Sequence, residues 1–322
     1  MDRNTVISDL RHKFSINGWW VLLYYAIMNL SVFIVAAADA VIIGLQYAWD
    51  PDSFQSDPVQ VMLERMTGNG WGYLLACLVV GTVLLLWKKP NYCFRQIWMH
   101  EKSMTGKAFM VLFCAFLTGQ AFQILLTPVM EWLLNRIGLS AFASLEAATG
   151  STNTVSMFLY VAVLAPVFEE IFFRGFILRN LLPYGKKFAI VASSFLFGIL
   201  HGNLLQTPYA FFVGLVLGYT AVEYGLVWSF ILHIFNNFVL GDLATRLAEL
   251  IPSFYVDLAL CVLIFGCAIT TLVLAAVNSR KIADYLSNRR IHPWCLWSFF
   301  TSWGVIVFTV IMLGNMALLL VL

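Results

Sequence analysis

Between Leu164 and Leu240, three otherwise apolar stretches carry side chains able to do acid–base chemistry. The first holds Glu169, Glu170 and Arg174, the second ends in His201, and the third holds His233, Asn236 and Asn237. Carboxylate, imidazole and amide groups together supply a base, a proton shuttle and hydrogen-bond donors, an inventory that suits amide hydrolysis. An ionisable side chain at mid-bilayer costs ~2.5–3.5 kcal/mol even on the lenient insertion scale, so such residues face a cavity or a partner. Three apolar helices burdened in this way within a short stretch point to one shared site.

Helical spacing separates the roles of the two carboxylates. At about 100° per residue, Glu170 and Arg174 lie on one face and can pair as a structural support, whereas Glu169 points away from them. Glu169 is therefore the candidate general base. A plainer alternative places all three in the solvated end of the helix, but Ile171, Phe172 and Phe173 continue the apolar run through the cluster. His233 and Asn237, four residues apart, share a face of their helix; Asn236, three residues on, is the less favoured choice.

The elements that must position these residues are membrane helices. Of 322 residues 61% are hydrophobic and 11% charged, against about 25% charged in soluble domains. A net charge of +2 implies no acidic partner, and nucleic acid is not an expected one. The six cysteines are widely spaced and form no C-x-x-C pair, so they are expected to be packing or lipid-facing thiols. Arg3, Arg11 and Lys13 precede an apolar run from Gly18 to about Ala48, longer than a signal peptide's core, and an uncleaved first span is expected.

Nine apolar segments, at about 19–46, 70–87, 108–130, 154–177, 188–203, 208–224, 226–244, 253–277 and 294–320, are candidates for spans. With the N-terminus cytoplasmic, all but Arg65, Arg136 and Arg246 of the 19 lysines and arginines fall on the inner side, as the positive-inside rule requires. The expectation is an all-α polytopic bundle in the cell membrane. Its parts are N-terminal helices over 1–150, a catalytic core over 151–248 and C-terminal helices over 249–322. Segments 49–69 and 139–153 read as outer loops, and Lys281–His292 as a basic cytoplasmic linker against lipid headgroups. For Asp39, Gln120, Gln123 and Asp257, hydrogen bonding between helices is the default role.

In this order and on successive apolar spans, Glu169-Glu170-x-x-x-Arg174, Phe197-x-x-x-His201 and His233-x-x-x-Asn237 resemble the three signature motifs of the CAAX protease and bacteriocin-processing (CPBP, or Abi) family, of the type II CAAX prenyl protease kind. The resemblance covers about 155–245. It implies an intramembrane endopeptidase acting on a membrane-associated or lipidated protein or peptide, in CAAX-type processing, peptide maturation or bacteriocin self-immunity. By the same resemblance, Glu169 and His201 activate the attacking water while His233 and Asn237 stabilise the oxyanion.

The family is often labelled a metalloprotease, and Glu169, His201 and His233 are the residues that could hold a catalytic zinc. No H-E-x-x-H helix is present. Activation of water without a metal is the favoured expectation, with no cofactor. A non-catalytic immunity factor or scaffold of the same fold is the alternative. A proton-coupled transporter would also bear intramembrane carboxylates, but the sequence shows no inverted repeat.

Overall fold

A computed structural model describes residues 3–53, 57–88, 90–142, 154–288 and 291–321. The expected boundary at 150/151, most of the loop 139–153, and Lys89, Arg289 and Arg290 lie outside the described residues. Among those described, helix is the only regular structure. The helices are α1 Arg3–Trp49, α2 Pro58–Gly68, α3 Trp71–Lys88, α4 Pro90–Phe94, α5 Gly106–Asn135, α6 Val155–Tyr184, α7 Lys186–Leu200, α8 Gln206–Glu223, α9 Leu226–Leu250, α10 Ser253–Val277, α11 Ser279–Asn288, α12 Pro293–Phe300 and α13 Trp303–Leu319. The chain is an all-α, multi-pass membrane bundle.

Each of the nine expected segments falls on helix, with differences that have physical causes. Among the described residues, α1, α3, α5, α6, α9 and α10 are long and apolar enough to cross a bilayer. The last expected span, 294–320, is two helices, α12 and α13, bent by 58°. Helix α7, with 15 residues, is about 22 Å long, short of a hydrocarbon core of about 30 Å. It is shielded by protein instead: ten of its residues are buried, and it packs chiefly along α8. Helices enclosed by other helices need not match lipid in length or apolarity.

Helices α6 and α9 are not regular α-helices. α6 widens into π-helical turns at Tyr160–Leu164 and Ile171–Ile177, and α9 at Phe235–Leu243. The first wide turn stops just before Pro166, which has no N–H to continue an α-helical ladder. Such turns recur at functional sites because they re-aim side chains within a helix. Here they bear Asn236 and Asn237 on α9, and on α6 they flank the segment that bears Glu169 and Glu170.

Aromatic side chains fill the core around α6 and α7, where Phe172, Phe173, Phe176, Phe188 and Phe197 pack with Phe14 and Phe299. Polar pairs join helices elsewhere. Asp39 accepts a hydrogen bond from Asn69 at 2.6 Å, and Gln120 donates to the hydroxyl of Tyr209 at 2.7 Å. The Cys114 and Cys267 sulfurs lie 3.4 Å apart between α5 and α10, as free thiols.

Where α1 meets α13, glycine faces glycine. A Cβ on Gly18 would stand 2.2 Å from the carbonyl carbon of Gly304, and one on Gly304 would stand 2.1 Å from the Ser15 carbonyl oxygen. Backbones this close are the usual way membrane helices gain contact when lipid is as apolar as leucine. Gly304→Leu is expected to cost about 1–3 kcal/mol by overpacking. Thermal melting in detergent reads the loss, with Gly266→Leu, at a position open to its surroundings, as the unchanged control.

At one end of the bundle Glu223, the last residue of α8, accepts from Lys186 and, at 2.9 Å, from Lys102; Lys186 also pairs with Glu101 at 2.8 Å. Burial pushes the Glu223 carboxyl up, but hydrogen bonds and charge from Lys186 and Lys102 outweigh it and hold the group below the usual carboxylate range. A depressed carboxylate contributes stability that is complete above its unfolded pKa, about 4.3, and disappears as pH falls through the folded value. Melting measured from pH 7 down to pH 3 should show a destabilisation at the acid end that is reduced in Glu223→Gln.

Candidate active site

The structure gathers all four candidate catalytic residues on one cavity. About 410 Å³ in volume, it is lined by Glu169, His201, His233 and Asn237, with Tyr24 from α1 and Tyr73 from α3 among the other walls. The Nε2 atom of His233 lies 3.7 Å from Oε2 of Glu169. That is too long for a direct hydrogen bond, yet close enough for both to contact one water. Asn236, the less favoured alternative to Asn237, lines the same cavity.

Beneath this surface lies a carboxylate with no exposure. Glu170 pairs with Arg174 at 3.0 Å, accepts the Ser229 hydroxyl, and stands 3.0 Å from Nδ1 of His233. The expected Glu170–Arg174 support is present, but spacing along α6 gave Glu170 only that one partner. The structure also gives it the back of an imidazole from another helix. With a carboxylate at Nδ1, His233 keeps a proton on that nitrogen in either charge state and turns Nε2 toward Glu169 and the cavity.

His201 is fixed differently. It closes α7, and its Nδ1 stands 2.9 Å from the carbonyl oxygen of Phe197. A carbonyl only accepts, so Nδ1 bears the proton and Nε2 is left with its lone pair in the neutral ring. Gly202 follows at φ +60°, the left-handed conformation that ends a helix, and the buried Asn203 side chain caps the next turn by accepting from the Leu205 and Gln206 amides. The glycine and asparagine after His201 thus hold the histidine at the cavity rim.

Phe197 explains its own place in the second motif. The Arg174 guanidinium lies over its ring at 4.1 Å, and the ring meets His201 and His233 edge-on at 4.9 and 5.9 Å. One aromatic therefore covers the buried cation and sets the separation of both imidazoles. Asn237 is anchored across helices: its side-chain NH2 donates to the Val161 carbonyl in the first wide turn of α6, and its carbonyl accepts from Asn236 at 3.0 Å. The remaining N–H of that NH2 group is free to donate into the cavity.

Zinc was the other chemistry these residues allowed. Among the described residues no three of His, Cys, Asp and Glu stand together as an ion would require, so Glu169, His201 and His233, which could have held a zinc, do not fit a zinc site as placed.

Residues 151–239 match a family model described as Rce1-like, type II CAAX prenyl endopeptidase Rce1-like. Over these residues the chain is similar to a CAAX prenyl endopeptidase domain. The matched stretch contains Glu169, Glu170, Arg174, His201, His233 and Asn237; Tyr24, Tyr73 and Gln120 lie before it. No curated protein and no solved structure matches the chain.

Spacing missed Ser229, four residues before His233 and on the same face, whose position a search for i, i+4 polar pairs in the third stretch would have reached. Tyr24 and Tyr73 had no signal, because a tyrosine in an apolar helix looks the same whether it lines a cavity or fills a core. Removal of Arg174 tests the support. Arg174→Met leaves a fully buried carboxylate without its cation and is expected to cost about 3–5 kcal/mol. Glu170→Gln/Arg174→Met, which removes both charges, should melt closer to wild type.

Proposed function

We propose that the protein is an intramembrane endopeptidase that hydrolyses a peptide bond in a membrane-associated or lipidated protein or peptide, with Glu169, His201, His233 and Asn237 as its catalytic residues. The observation that carries this reading is the convergence of those four side chains from α6, α7 and α9 on one cavity, with Glu169 and His233 3.7 Å apart. The similarity of residues 151–239 to a type II CAAX prenyl endopeptidase model supports the reaction class.

Glu169, with 17% of its side chain exposed, is open enough to hold a water and enclosed enough to act as a base. It takes a proton from that water, assisted by the Nε2 lone pair of His201. The hydroxide attacks the scissile carbonyl carbon, and the oxyanion formed accepts hydrogen bonds from the Asn237 NH2 group and from Nε2–H of His233, which enters the step as the imidazolium, protonated at both nitrogens. The proton on Glu169 passes to the departing amine as the C–N bond breaks. Glu170, charged and fixed behind His233, stabilises the protonated imidazole that donates to the oxyanion.

Protein purified in detergent or reconstituted into nanodiscs, given prenylated and unmodified peptides, is expected to cleave, with products mapped by mass spectrometry. Glu169→Gln and His201→Ala should abolish turnover without loss of fold. Asn237→Ala should lower kcat about 10²–10³-fold, as loss of one oxyanion donor does. A chelator should leave turnover unchanged; loss restored by zinc would replace the side-chain mechanism with a metal one. Peptide binding that persists with no cleavage in any condition would instead favour the non-catalytic alternative.

A further inference from the structure

A second cavity, of about 580 Å³, adjoins the first between α5, α8, α9 and α10. The two share a wall made of Val161, Gln206, Tyr209, Asn236 and Asn237. Apart from Val161 that wall consists of polar side chains. Tyr209 donates its hydroxyl to the Asn236 carbonyl at 2.7 Å, and Gln120 of α5 donates to both. Side chains can exchange partners where main chain cannot, so the wall is one that a bound chain could cross.

The chemistry of the second cavity is neutral and rich in amides. Gln120 and Gln123 on α5 face it together with Gln206, Asn236 and Asn237, while Leu260 and Ile264 form an apolar side. Among the described residues that line it, none is acidic, basic or histidine. The Gln123 Nε2 atom donates to Thr127, but its Oε1 is buried and has no hydrogen-bond partner. A buried acceptor left unsatisfied is destabilising, and a ligand N–H would relieve it.

The geometry points to this second cavity as a subsite for an uncharged stretch of the substrate's polypeptide, continuous across the Asn236–Asn237 wall with the segment cleaved in the first. This rests on the peptidase reading above and adds the substrate's character on one side of the cut. A peptide backbone offers the N–H and C=O groups that glutamine and asparagine side chains match, and its apolar side chains fit the Leu260–Ile264 side. An acyl or prenyl chain offers no hydrogen bond and would leave the amide wall unpaired. A charged side chain would meet no counter-ion there. Gln120 and Gln123 are the specificity-determining residues, and both lie before the matched protease domain.

Purified protein in micelles, given an octapeptide library, is read by mapping cleavage sites with mass spectrometry. On one side of the cut wild type should disfavour Asp and Lys at least tenfold against uncharged residues. Gln123→Glu should raise acceptance of Lys at one position of that side at least tenfold and leave the other side unaltered. If that variant fails to fold, Thr127→Lys should do the same for Asp. An unchanged profile in either folded, active variant overturns the proposal.

Should wild type cleave nothing, the peptidase reading falls, and the subsite is read without turnover. Glu169→Gln protein in nanodiscs is irradiated with an uncharged octapeptide carrying photo-leucine, or with a diazirine-bearing palmitate. Peptide label on segments 120–128 or 260–264 supports the subsite. Palmitate label there in its place, or no peptide label on them, overturns it.

Discussion

The buried carboxylate of Glu170 is the constraint from which the arrangement of the central helices follows. An ion with no exposure must be neutralised and hydrogen-bonded from every side, and each partner comes at a fixed distance and direction. Arg174 supplies the charge from the same helix, Ser229 and His233 supply donors from α9, and the Arg174 guanidinium in turn lies over Phe197 of α7 and reaches the Gly214 carbonyl of α8 at 3.5 Å. Four helices are thereby tied in register through one side chain. Well-packed apolar residues could give equal stability in its place, but they would not aim an imidazole. Orientation, more than stability, is what the pair contributes.

The wide turns serve the same end by another route. In a uniform α-helix each carbonyl is satisfied within the helix, and a side chain from a neighbour has little to bond. At Tyr160–Leu164 the ladder loosens ahead of Pro166, and the Val161 carbonyl accepts the Asn237 side chain from the wide turn of α9. Two irregular segments therefore fix each other across the site. The backbone irregularity is satisfied by protein, the condition under which a bilayer tolerates it.

Much of this was legible in the sequence, because a membrane makes polar residues conspicuous. The apolar segments marked the helices, and Glu169, His201, His233 and Asn237 stood out against them. Spacing also identified the Glu170–Arg174 pair correctly, since i and i+4 neighbours are set by helix geometry alone. Partnerships between helices were not legible. Glu170 with His233, Gln120 with Asn236, and Tyr24 beside the cavity depend on how helices pack, which no periodicity within one helix encodes. The shortness of α7 and the bend between α12 and α13 were hidden for a related reason: apolarity reports burial, and burial by protein and by lipid look alike.

The division of polar chemistry between two adjoining cavities follows from the cost of charge in a bilayer. Of the two, only the first is lined by acidic or histidine side chains among the described residues, Glu169, His201 and His233, with Glu170 and Arg174 packed behind them. The polar side chains described in the second cavity are neutral amides and hydroxyls, set beside apolar ones, and on the reading proposed above they would satisfy a peptide backbone without a counter-ion. On the proposed reading, a site that both binds and cuts a polypeptide within lipid would gain from separating these tasks. Charge would then be kept where a proton must move, and dipoles where a chain must merely be held.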